Sequence, residues 1–280
     1  MSARPKNQHW VPRFYLKHFA SEESKETGNP QVWFIDKSKD ASGSELISTK
    51  KLCGKRYLYT PESLDGDRDW SLEDYLSELE SEAAAYWDSL AHGELDLSED
   101  RLRAKVAEFI AALHLRNKLI FDLYKSVMKN RDALFGAPQP TPSEACGHVD
   151  EDRPDPTHPG RFFVHKIRSG IPRITKSFLS YQWTLLMCAD RVLISSDAPV
   201  TFIDSLPRRS GPGASNPKAV FPVAPNAALH MAASDKGPGT SSQYVNADVF
   251  WDLNHVIAHQ AERFVILGGL SESVLNQPSP

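Results

Sequence analysis

Cysteine is scarce in this 280-residue chain: Cys53, Cys146 and Cys188 lie far apart, and no CxxC pair occurs. An odd, sparse set builds no disulfide framework and suits a reducing compartment. No run of about 18 apolar residues is present, so no helical membrane span and no membrane partner are expected. The opening MSARPKNQHW lacks the apolar core of a cleaved signal, and a cytoplasmic protein is the expectation. Charge of one sign is not in excess: 32 Lys and Arg stand against 36 Asp and Glu, a net of -4. That balance argues against coating nucleic acid or anionic lipid through bulk charge, though a local basic groove stays open. GxSxG is missing, and no set of His, Asp and Glu has clear metal spacing. Gly211-Pro-Gly213 and Gly237-Pro-Gly239 read as loop composition, because neither follows a strand and opens a helix. No metal is assigned, and no cofactor is named by any motif.

The first twenty residues are richer than a chain start usually is. Trp10, Phe14, Tyr15, Leu16 and Phe19 fall within ten residues, a density that docks the segment into the body of the protein and sets His9, Arg13 and His18 beside an apolar anchor. Gln31 to Asp36 reads as a strand, and Glu45 to Ser48 with Lys51 to Tyr59 supplies one or two further short strands, giving an early hairpin or small sheet. Ser71 to Ala91 reads as a helix, with Leu72, Leu76, Leu79, Ala83, Trp87 and Leu90 at helical spacing, Ser71 and Asp74 as a near capping box, and Gly93 as the stop. A second helix is expected from Ser98 to Leu134, roughly 50 Å if unbroken. Residues 136–160 are a Pro-rich connection, and Arg161 to Tyr181 reads as helix interrupted at Gly170 and Pro172. Beyond it, Trp183 to Cys188, Val192 to Ser195, Val220 to Val223, Ala228 to Ala232 and Phe264 to Leu267 read as strands of one sheet, with a helix capped by Asn246 before the last. The expected organisation is one domain over 1–270: an anchor and helical part (1–135), the connection (136–160) and a sheet-containing part (161–270), followed by a flexible tail (271–280).

Polar residues at apolar positions mark candidate sites. Arg116 follows Leu113 by three and precedes Ile120 by four, so it points with the buried stripe of its helix. Such a guanidinium needs a partner, whether as a structural seam between helices or as an anion holder at a cleft floor. Glu80, which borders the apolar face of the preceding helix, offers that partner. Asp197 follows a strand and precedes Pro199, so it is either a fixed carboxylate at a strand end or the closer of an Asx-turn. His9, backed by Trp10, could act as a general base, a metal ligand or the partner of a buried acid.

His9-Trp10-Val11-Pro12-Arg13-Phe14-Tyr15-Leu16, Leu79-Glu80-Ser81-Glu82-Ala83, Leu113-His114-Leu115-Arg116, and Ser196-Asp197-Ala198-Pro199-Val200 followed by Val220-Phe221-Pro222-Val223 occur in that order. In this order the chain resembles the microbial domain-of-unknown-function family 4238 over about residues 7 to 267, with Asn254 and Ala261 in what looks like its closing helix. Trp10 stands where that family usually has another aromatic such as Tyr, and His18 where it commonly has a small polar residue. The resemblance implies a shared fold and singles out His9, Glu80, Arg116 and Asp197, without implying an activity.

Together these readings give an α+β protein, with a helical N-terminal half packed on a mixed, largely antiparallel C-terminal sheet. Two functions fit. One is a hydrolase acting on a phosphate-containing substrate, a small molecule such as a nucleotide or a nucleic acid. Its catalytic residues would be His9 and Asp197, with Arg116, Glu80, Arg13 and Asn254 on the substrate. The other is a non-catalytic binding or regulatory module whose polar cluster fixes helix against sheet.

Overall fold

The computed structural model describes residues 4, 6–39, 43–62, 66–130, 159–203, 218–235 and 237–268. Nearly all of the Pro-rich connection, the loop 205–217, Cys146 and the tail lie outside them. The elements run in chain order as follows: β1 (Asn7–His9), α1 (Arg13–His18), α2 (Glu22–Lys25), β2 (Gln31–Asp36), β3 (Glu45–Ser48), β4 (Gly54–Arg56), α3 (Ser71–Ala91), α4 (Asp100–Leu115), α5 (Lys118–Lys129) and α6 (Pro159–Leu179). There follow β5 (Gln182–Met187), β6 (Ser195–Ser196), β7 (Thr201–Phe202), β8 (Lys218–Ala224), β9 (Ala227–Ala232), β10 (Gly239–Tyr244), α7 (Ala247–Gln260) and β11 (Phe264–Ile266). The protein is α+β.

The C-terminal strands divide between two sheets rather than forming one. A five-stranded sheet has the order β10-β5-β9-β8-β7, and a four-stranded sheet the order β3-β2-β11-β6. The early hairpin therefore completes its sheet with strands from the far end of the chain. All pairings are antiparallel except β10 with β5. β10 (GTSSQY) carries no apolar alternation, which is why the sequence read its approach as loop alone; as an edge strand exposed along most of its length it needs none.

β8 is buried on both faces and divides the core in two. Ala219, Phe221 and Val223 point to a large cluster shared with α1, α3, α4 and α6, whereas Val220 points to a smaller one with Phe250 and Ile257 of α7. Trp87 sits at the heart of the larger cluster, edge-on to Phe14, Tyr15, Phe109 and Phe221, and its indole donates to the Val223 carbonyl at 3.1 Å. Tyr15 donates its one hydroxyl proton to the Pro222 carbonyl at 2.8 Å, so Ser195 must be the donor in the 2.7 Å bond between the two hydroxyls. The N-terminal anchor thus ties β8 to β6.

Three local expectations change. The long second helix breaks at Arg116 and Asn117, where the Asn117 side chain accepts the Leu119 amide at 3.0 Å and starts α5 afresh. Ser71 does not cap α3; Asp69 does that work, accepting the Ser71 amide at 2.9 Å. α6 runs unbroken through Pro172, which faces solvent, while Gly170 permits close packing on α4: a Cβ there would lie 2.9 Å from Leu115 Cδ1.

Candidate functional site

The break between α4 and α5 positions the most unusual charge in the protein. As the C-cap of α4, Arg116 gives its carbonyl to the Tyr59 hydroxyl at 2.7 Å and turns its side chain inward, leaving it 2 % exposed. Its Nη1 donates to Glu80 Oε1 at 2.6 Å, the pairing expected from the sequence. Its Nε and Nη2 are buried with no hydrogen-bond partner among the described residues. Glu80 keeps 30 % of its side-chain surface, so the pair is sealed at the Arg end and open at the Glu end.

His9 lies beside this pair. The short β1–β4 ladder sets His9 opposite Gly54, where a Cβ would come 2.7 Å from Asn7 Nδ2 and 3.1 Å from His9 Nε2. His9 Nε2 meets the Lys50 carbonyl at 3.2 Å; a carbonyl can only accept, so Nε2 carries the proton and Nδ1 is the basic nitrogen. Burial lowers the imidazole pKa, as do the Arg13 and Arg116 charges, against the raising effects of the Lys50 carbonyl and Glu80. A fourth group joins from α3. Glu73, two helical turns before Glu80 and on the same face, is pushed up to about 7 by burial and then by the Glu80 charge, with Arg116 opposing. Glu73 was not anticipated from the sequence, although its spacing of seven from Glu80 was the signal. The site is thus a buried guanidinium under a rim of half-buried His9, Glu73 and Glu80.

Asp197 belongs to a different constellation. Its two carboxylate oxygens accept the Glu262 and Arg263 amides, both at 3.0 Å, and its own amide donates to the Phe264 carbonyl. Ser196, not Asp197, makes the local turn, accepting the Ala198 amide at 3.1 Å. Burial raises the Asp197 pKa against those backbone bonds. Arg263 continues the lock, holding Asp36 with Nε at 2.9 Å and Nη2 at 2.7 Å, and its guanidinium keeps the Asp36 carboxyl far below the usual range. Asn254 is likewise committed: its Oδ1 accepts the Ile194 amide at 2.9 Å and its Nδ2 donates to the Val192 carbonyl at 2.7 Å.

Between the two groups stand Asn117 and Cys53. Glu262 is pushed up to about 7 by burial and by Asp197, and Asn117, next to Arg116, eases it by a hydrogen bond. Burial, Asp197 and Glu262 all raise the Cys53 thiol. No hydrogen bond or ion pair among the described residues joins Asp197 to His9, Glu80 or Arg116. The structure therefore brings together His9, Glu80 and Arg116, leaves Arg13 exposed at the start of α1 within electrostatic reach of His9, and sets Asp197 and Asn254 in the sheet-to-helix joints.

Among the described residues no three His, Cys, Asp or Glu group as a metal-ligand set, and no helix is long and apolar enough to cross a membrane. A cavity of about 590 Å3 opens between the α2 loop and the β2–β3 hairpin, lined by Ser24, Asn29, Gln31, Trp33 and Leu46 among others, and none of the candidate residues lines it.

Comparison with curated proteins and with solved structures gives no match. A family model described as a protein of unknown function (DUF4238) matches residues 7–268, nearly the whole chain. This chain belongs to DUF4238.

Proposed function

We propose that the protein is a hydrolase acting on a phosphate-containing substrate at the Arg116 site. The observation that carries this reading is the half-used guanidinium: one nitrogen is held by Glu80, while Nε and Nη2 are buried and unpaired. Planar paired donors of this kind match a phosphate edge once movement of the side chains that seal the Arg end uncovers them, and Glu80 fixes the plane. His9, neutral at pH 7 with Nδ1 basic, serves as general base for the attacking water. Glu73, half protonated near neutrality, serves as general acid for the leaving group. Asp197 becomes a positioning residue rather than a catalytic one, since both its oxygens are taken by backbone amides.

The test uses bis-p-nitrophenyl phosphate and p-nitrophenyl phosphate as diester and monoester probes. His9→Ala and Glu73→Gln are expected to cut turnover by about a hundredfold or more each, with little change in melting temperature. Unchanged turnover in both variants would sink the reading.

A second reading, a binding or regulatory module with a structural polar network, is favoured by the completeness of the Asp197 and Asn254 bonds. It expects His9→Ala to lower stability and to alter no chemistry.

A further inference from the structure

Among the described residues four strands end the two larger sheets, and three of them are guarded. β6 and β7 are two residues long, and β3 opens on Glu45, which accepts from Lys39 at 2.6 Å. Short or charged edges resist pairing with another chain. β10 is different. It is six residues long, pairs with β5 alone among the described residues, and carries no charge, no proline and no break in register. Residues 237–247 hold no charged side chain at all. One bond fixes how this edge presents its backbone. The Val245 amide donates to the Met187 carbonyl at 2.8 Å, so the odd-numbered residues of the strand turn their amides and carbonyls toward β5. Thr240, Ser242 and Tyr244 therefore turn theirs outward, where they meet no partner strand among the described residues. Their side chains leave the sheet on the face of Trp183, Leu185 and Met187, and Tyr244 keeps 76 % of its surface exposed.

We propose that β10 is a homodimerisation edge, which pairs antiparallel with β10 of a second copy about a twofold axis through Ser242. Of the registers a twofold allows, the one centred on Ser242 uses all three outward residues. Ser242 faces its own copy on the axis, and Thr240 faces the second copy's Tyr244 on either side of it. Each of these three pairs exchanges two N–H···O bonds. An aromatic ring against a β-branched side chain is a favourable cross-strand pair, and it gives the exposed Tyr244 a partner. A twofold brings any charge near the axis close to its own copy, and this edge has none to repel. The same neutrality selects a second copy over a foreign peptide, because it offers a foreign strand no charge to recognise. A single strand pair is small against the roughly 1,200 Å2 of a standard interface, so the dimer exchanges with monomer at micromolar concentration. Pairing at β10 makes no use of the Arg116 site.

The experiment is sedimentation velocity of the full chain from about 1 to 200 µM, with hydrogen exchange of the β10 amides at both ends of that range. A monomer–dimer equilibrium is expected, with the Thr240, Ser242 and Tyr244 amides protected only at the higher concentration. Ser242→Lys sets two ammonium groups across the axis, and Ser242→Pro removes the central outward donor without touching a bond to β5. Each is expected to raise the dissociation constant about tenfold or more at a nearly unchanged melting temperature. Leu46→Lys, on the exposed edge strand β3, is expected to leave the equilibrium as it was. Should Ser242→Pro fail to fold, Ser242→Lys decides alone. A chain that stays monomeric throughout the range overturns the proposal, whether its outward amides exchange freely or are protected at every concentration by another part of the same chain. So does a dimer that forms within about twofold as well in the Ser242 variants, or one that Leu46→Lys abolishes.

Discussion

Two polar regions of this protein are buried to similar depth and differ in how fully they are satisfied. At the junction of β6, α7 and β11, Asp197 accepts two amides, Arg263 grips Asp36 through two nitrogens, Asn254 uses both ends of its amide, and Lys37 donates to the Ala258, His259 and Ala261 carbonyls at the end of α7. At the α4–α5 break, Arg116 uses one nitrogen of three, and two carboxylates and an imidazole gather around it. A complete set of bonds holds a fold, whereas an incomplete one leaves donors that a ligand can take; at the Asp197 junction the gap is an acceptor, Glu262 Oε1, buried without a partner among the described residues. The difference separates Asp197 from His9, two residues that the sequence had put in the same role.

The largest effect tests the complete region. Asp197→Ala strands two part-buried amides, at about 1–2 kcal/mol each, so urea denaturation should show a loss of about 2–4 kcal/mol. Asn254→Ala strands the Ile194 amide and the Val192 carbonyl and should cost about 2–4 kcal/mol. If Asp197→Ala is thermodynamically silent, the distinction between the two regions is wrong.

The incomplete region should respond the other way. Arg116→Met removes a buried cation with unsatisfied donors and leaves Glu80 partly in water, so stability should change by less than about 1 kcal/mol or rise, while phosphate-ester turnover disappears. Glu80→Gln instead leaves the buried guanidinium without its carboxylate and should cost about 1–3 kcal/mol. The order Glu80→Gln worse than Arg116→Met is the sharp outcome; the reverse would mark the pair as structural glue.

Much of this was legible before any coordinates. α3 follows from one apolar stripe, and Ser71 to Ala91 are its observed limits; β2 follows from strict alternation, and Gln31 to Asp36 are its limits. The Glu80–Arg116 pair followed from two polar residues at apolar positions on helices that had to pack. What stayed hidden depends on partners distant in the chain. Asn117 as a helix stop competes with a periodicity that continues through Ile120, and only the tertiary use of the Arg116 carbonyl by Tyr59 decides for the break. The role of Asp197 is set by amides 65 and 66 residues later, which no local pattern contains. The division into two sheets follows from β2 pairing with β11, a register fixed by both ends of the chain.

The smallest effect concerns pH, where two pairs of groups oppose each other. Burial holds His18 and His114 down to about 4, so the unfolded chain binds more protons than the folded one between about pH 4 and 6.5, and stability from these groups is lost as pH falls through that window. Glu73 and Glu262 are held up to about 7, so the folded chain binds more protons between about 4.5 and 7, and stability from these groups is lost as pH rises. The two slopes have opposite signs over nearly the same range, and the melting temperature of the unmodified chain should vary little across it. Glu262→Gln removes one rising-pH cost. Discounted for the solvent that reaches this half-exposed group, it should raise the melting temperature at pH 8 relative to pH 5 by about 3 °C more than in the unmodified chain, leaving a protein visibly labile to acid. Glu73→Gln should tilt the profile in the same sense. It should also remove the limb of the pH–rate profile that falls above about pH 7, because a general acid must hold its proton to act, and Glu262→Gln should leave that limb in place. Two glutamates with the same displaced titration would then be told apart by the one readout that only a group touching substrate can move.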